Sequence, residues 1–124
     1  MKSPLYAAVL VMGAACSSLA DPAISDALNI HVRDGALQLE NVSNRQVFYF
    51  IYERQAAALI LWERCVDPGR CSSLAPDAQA TVPYPTIGGY APGKTEAIVY
   101  WWYAVPGPGG RPVPGDLAGI VVHL

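Results

Sequence analysis

Cys16, Cys65 and Cys71, two histidines and a scatter of carboxylates are the side chains from which chemistry could be assembled in this 124-residue sequence. Cys65 and Cys71 bracket Val66-Asp67-Pro68-Gly69-Arg70, and Asp-Pro-Gly is turn chemistry that folds the segment back on itself. A local disulfide is expected, contributing about 2 kcal/mol for so short a loop in the chain-entropy model. A zinc site takes about four ligands, and only His31 and His123 could join these cysteines. A redox pair normally has the tighter C-x-x-C spacing.

Other chemistries need constellations that the sequence does not offer. A hydrolase requires a nucleophile, a base and an orienting group, and neither histidine lies in a recognisable catalytic motif. The G-x-S-x-G elbow, the H-E-x-x-H helix and the phosphate-binding glycine motifs are missing. Glu53 and Glu63 are directly followed by Arg54 and Arg64, which reads as charge pairing across strands. Blue copper requires a cysteine and usually a methionine near the last strands, and no cysteine follows Cys71. We therefore expect no enzyme, no catalytic residue, no metal and no cofactor. A net charge of −2 with Lys+Arg 8 lacks the basic footprint of a nucleic-acid binder.

The first residues, MKSPLYAAVLVMGAACSSLADPA, place Lys2 before an uncharged run from Leu5 to Ala15. That run is shorter than the roughly 20 residues a membrane span needs and has the layout of a cleaved signal. Residues 1–20 are expected to be removed before Asp21 at the Ser18-Leu19-Ala20 site. An equally open route is that of a lipoprotein: Gly13-Ala14-Ala15-Cys16 resembles a bacterial lipobox, which would lipidate Cys16 and make it the new first residue. Either route leaves only Cys65 and Cys71 in the mature fold, as suits an oxidising compartment. The expected location is periplasmic, extracellular or lipid-anchored to the envelope.

The remaining chain, residues 21–124, reads as one β domain. With 52% hydrophobic and 15% charged residues it can fill a core, and Gly 11 with Pro 11 punctuates it too often for a helical bundle. Residues 28–32 alternate and are broken by Asp34-Gly35; residues 37–42 alternate again. The NVSNR stretch, 41–45, has hairpin length. Residues 46–54, 58–65, 80–84, 95–105 and 117–124 read as further strands, with a short helix near Ala56-Ala57-Ala58 as the alternative for part of 58–65. Prolines in VPYP put 80–84 at a sheet edge. Residues 106–115 (PGPGGRPVPG) read as an irregular loop.

About seven strands, the LENVSNRQV stretch and LAPDAQATVPY (74–84) together resemble an immunoglobulin-like β-sandwich of the kind common in exported bacterial proteins. The resemblance implies an antiparallel two-sheet sandwich. Gly107-Pro108-Gly109-Gly110 with Arg111-Pro112 also resembles loop motifs of chagasin-like cysteine-protease inhibitors, which implies an inhibitor as a lesser reading.

Residues 46–54 and 95–105 are apolar on both faces, whereas a sandwich strand shows one face to water. Something must cover the second face: the protein's own loops, above all 106–115, or another subunit, an envelope protein or a glycan. The expected binding surface is Tyr100, Trp101, Trp102 and Tyr103 with Arg111. The function expected is an interaction or structural module of the envelope, with a carbohydrate-binding module as the alternative.

Overall fold

The computed structural model describes Ala23–Ile24 and residues 26–124; the expected signal segment and Cys16 lie outside these residues. In chain order the strands are β1 (Ala23–Ile24), β2 (Leu28–Arg33), β3 (Ala36–Asn41), β4 (Val47–Glu53), β5 (Ser73–Leu74), β6 (Gln79–Pro83), β7 (Glu96–Trp102), β8 (Ala104–Pro106), β9 (Pro112–Pro114) and β10 (Ala118–His123). They form a sheet of order β1-β2-β3-β6, a second of order β10-β7-β4-β5, and the ribbon β8-β9, all antiparallel.

Alternation builds the first sheet. Leu28, Ile30, Leu37 and Leu39 are buried on one face, and Asp34-Gly35 closes the β2–β3 hairpin with both residues at positive φ, 54° and 75°. Such a two-residue turn matches the right-handed strand twist. The second sheet meets this face with Val47, Leu74, Ala97, Val99 and Val122, so the two sheets enclose one core.

The NVSNR stretch is not a hairpin: β3 ends in the first sheet and β4 begins in the second. Asn41 makes the crossing. Its buried side chain donates to Arg45 O (2.7 Å) and Leu74 O (2.8 Å), and its Oδ1 accepts from Ser43 N–H (2.9 Å) and Ser43 Oγ–H (2.7 Å). Its backbone N–H donates to Ala78 O and its carbonyl accepts from Asp77 N–H. A buried amide with every site occupied fixes the chain's path between sheets.

Residues 58–65 do not form a strand either. Glu53 caps a four-residue helix, α1 (Arg54–Ala57), by accepting Ala56 N–H at 2.9 Å. The chain then crosses the outer face of the second sheet as an irregular strap, 58–72. Glu53 is thus a buried cap and not a cross-strand partner of an arginine, while Arg54 bonds Glu96 at 2.9 Å.

Residues 106–115 depart from the irregular loop expected of them. Gly107 N–H donates to Arg111 O and Gly115 N–H to Tyr103 O, so Val105↔Val113 is also a bonded pair of the ribbon. Pro106, Pro112 and Pro114 fall on the intervening positions, where the ladder needs no N–H. Between ribbon and sheet the register slips by one residue, with Asp116 and Leu117 opposite Trp102. β7 to β10 is therefore one long hairpin interrupted by a bulge.

Candidate functional site

The register of the second sheet sorts its aromatic residues onto two faces. Phe48↔Trp102, Phe50↔Tyr100 and Tyr52↔Ile98 share the outer face; Tyr49↔Trp101 and Ile51↔Val99 share the inner one. The four-residue surface expected at 100–103 is consequently divided. Tyr100 and Trp102 face outward, whereas Trp101 and Tyr103 pack against the core. Tyr103 also carries the Arg45 guanidinium 4.1 Å from its ring centroid. Arg111 is exposed at the tip of the ribbon.

The strap covers the outer face through Trp62. Its ring stacks on Phe50 at 4.3 Å between centroids and lies 5.0 Å from Tyr100 and 5.7 Å from Trp102. Trp102 is 2% exposed and Phe48 3%, although neither belongs to the inter-sheet face. The cover expected from 106–115 thus comes mainly from 58–72, with Pro114 at the margin. The sequence signal was present in the alternation of Ile60 and Trp62 with Leu61 and Glu63, but it marks a strap lying on a sheet as readily as a strand within one.

Few bonds hold the strap. Cys65 and Cys71 form a disulfide, Asp67 O accepts from Arg70 and Cys71 N–H, and Asp67 Oδ1 accepts from Gly69 N–H. Trp102 Nε1–H donates to Cys65 O at 2.7 Å, and the Arg64 guanidinium donates to Gly115 O. Among the described residues, the backbone N–H groups of 60–64 donate to no protein acceptor. The disulfide closes the strap on itself, and the Trp102 indole, the Arg64 guanidinium and the Ser72 carbonyl, which accepts from Tyr49 N–H at 3.1 Å, tie it to the rest of the domain in place of a ladder.

Its first half turns two leucines outward. Leu59 is 86% exposed and Leu61 is fully so. Beside it runs a groove of about 470 Å³, lined by Trp62, Glu63, Arg64, Tyr100, Pro114 and the half-exposed Leu117. Leu59, Leu61, Trp62 and Leu117 were not among the residues expected from sequence.

The Ala56 N–H bond holds the Glu53 carboxyl below the usual carboxylate range, with Gln55 N–H and Lys94 assisting against burial. Burial pushes the Tyr49 phenol up, opposed by its hydrogen bond with Ser72. His123 Nδ1 lies 3.4 Å from Glu96, and His31 is exposed on β2. Among the described residues, no group of three or more His, Cys, Asp or Glu side chains is placed to hold a metal ion, and no helix is long and apolar enough to cross a membrane.

The fold and site define a disulfide-clipped, two-sheet antiparallel β domain with an apolar strap. No protein-family model matches the chain, and no curated protein or solved structure is significantly similar to it.

Proposed function

We propose that this chain is a non-enzymatic, exported β-sandwich that serves as an interaction module of the cell envelope and binds an apolar protein segment along its strap. The observation that carries this reading is the exposure of Leu59 and Leu61 beside the Trp62–Leu117 groove. Two adjoining large apolar side chains at nearly full exposure lose hydration cost only when a partner covers them. The disulfide supports an oxidising compartment and hence export.

An immunoglobulin-like arrangement fits the strand order. With β2, β3, β4, β5, β6, β7 and β10 counted as seven strands, the second pairs with the fifth, the third with the sixth and the sixth with the seventh. These are the B–E, C–F and F–G pairings of that architecture. The fourth strand departs from the constant type by pairing with the third rather than the fifth.

The glycan reading needs aromatic faces open for a sugar to stack on. Phe50, Tyr100 and Trp102 instead give theirs to Trp62. For the inhibitor reading, residues 107–112 lie together at the tip of one two-stranded ribbon rather than on separate loops.

A photo-crosslinking amino acid at position 61, introduced into the protein expressed in its cell, tests the proposal. The expected result is a discrete adduct with an envelope protein that is absent when the crosslinker sits at exposed position 33 on β2. Equal labelling from both positions would contradict the reading.

A further inference from the structure

The two sheets have four outer edges, and three are blunted. β1 and β5 are two residues long, and β6 ends in Pro83 with Pro85 close behind. β10 differs: its six residues, Ala-Gly-Ile-Val-Val-His, include no Lys, Asp, Glu or Pro, the devices that discourage pairing at natural edges.

The register shows which backbone groups of β10 are free. Leu124 N–H donates to Thr95 O at 2.8 Å, and the same step along the ladder gives Val122↔Ala97, Ile120↔Val99 and Ala118↔Trp101. Antiparallel pairs alternate between bonded and non-bonded. Ala118, Ile120 and Val122 therefore turn their N–H and C=O toward β7, while Gly119, Val121 and His123 turn theirs outward. No described residue bonds these outward backbone groups.

We infer that β10 is a self-pairing edge, at which two copies of this chain join antiparallel about a twofold axis through Val121 and fuse their second sheets into one. In that register Val121 stands opposite the partner's Val121, and Gly119 opposite the partner's His123. Every outward N–H then meets an outward C=O. A one-residue slip would set core-facing side chains opposite solvent-facing ones. A two-residue slip would carry His123 against the Asp116–Leu117 bulge.

Charge and shape agree with a second copy as the occupant. A twofold axis sets each charge near it against its own like, and β10 carries none there. Gly119 sets no side chain of its own against the partner's His123; the Tyr100 ring lies over it, 3.3 Å from where a Cβ would stand. Val121, 37% exposed on the outer face, is covered by its own counterpart. This surface is separate from the strap, so either can fail without the other.

Sedimentation equilibrium of the full chain, from about 1 μM to about 1 mM, reads the association. The expected result is a monomer–dimer equilibrium in which the amides of residues 119, 121 and 123 are protected from hydrogen exchange in the dimer and released on dilution. Val121→Lys places two ammonium groups across the axis and weakens association at least about tenfold. Val121→Pro deletes the central outward donor, which an edge strand tolerates, and does the same. A chain that stays monomeric throughout, a dimer with freely exchanging amides at 119 and 121, or a dimer insensitive to both substitutions would overturn the inference. So would pairing of β10 with a foreign strand in place of a second copy.

Discussion

The indole N–H of Trp102 donates to the carbonyl oxygen of Cys65 at 2.7 Å, joining the end of a central strand to one half of a disulfide. Trp102 lies on the face of the second sheet that points away from the core, and this bond with the Trp62 stack turns that face into a second, smaller interior. Strap and clip are thus coupled to the outer face of that strand.

Removing the clip loosens the strap without unfolding the sheets. Cys65→Ser/Cys71→Ser should cost about 2 kcal/mol. That corresponds to a melting temperature lower by roughly 10 °C for a domain of this size. Tryptophan emission should shift to the red as Trp62 and Trp102 gain water. Calorimetry and fluorescence on the oxidised protein and the double variant check both effects.

Asn41 is the sharper stability test. Asn41→Leu leaves the buried Leu74 carbonyl without its amide donor and the Ser43 N–H without its acceptor, while Arg45 O keeps Ser43 Oγ–H at 3.0 Å. An unsatisfied buried group costs about 1–3 kcal/mol, and stability should fall by about that amount. Urea unfolding measures it. A loss no larger than that of an exposed polar residue would remove Asn41 from its place as the pivot between sheets.

Asn41 also shows how much of the fold was legible in the sequence. Period-two patterning located the main strands and the Asp34-Gly35 turn, because alternation is a local property. Whether Asn-Val-Ser-Asn-Arg folds back in one sheet or crosses to another depends on what its first amide meets, and Leu74 lies 33 residues away. The strap was obscured similarly. Trp62 reads as apolar whether it sits in a sheet or on one, and only the stack with Phe50 distinguishes the two. In the ribbon the prolines were legible as punctuation, yet their spacing at 106, 112 and 114 is what a two-stranded ladder tolerates. The binding residues at 100–103 were chosen as a run, and strand alternation divides any such run between two faces.

Glu53 gives stability a pH dependence whose sign follows from its environment. Its folded pKa is lowered, first by the Ala56 N–H bond, so its contribution is present above the unfolded value and is lost as pH falls through the folded one. Glu53→Gln should therefore be less stable than the parent at neutral pH, and the gap should narrow as the solution is acidified toward pH 3. Denaturation at a series of pH values checks this; a gap that stays constant or widens on acidification would be the wrong sign.

The most direct test of the central claim, that the outward side of the strap is a protein-binding surface, is envelope-partner capture by Leu59→Ser/Leu61→Ser with melting temperature read in parallel. Both side chains are exposed, so stability should change by less than about 0.5 kcal/mol. That keeps the melting temperature within roughly 3 °C of the parent. Loss of the captured partner at unchanged melting temperature is the predicted result. Capture at the parent's level, or a fall in stability of the size expected for a core residue, would contradict it.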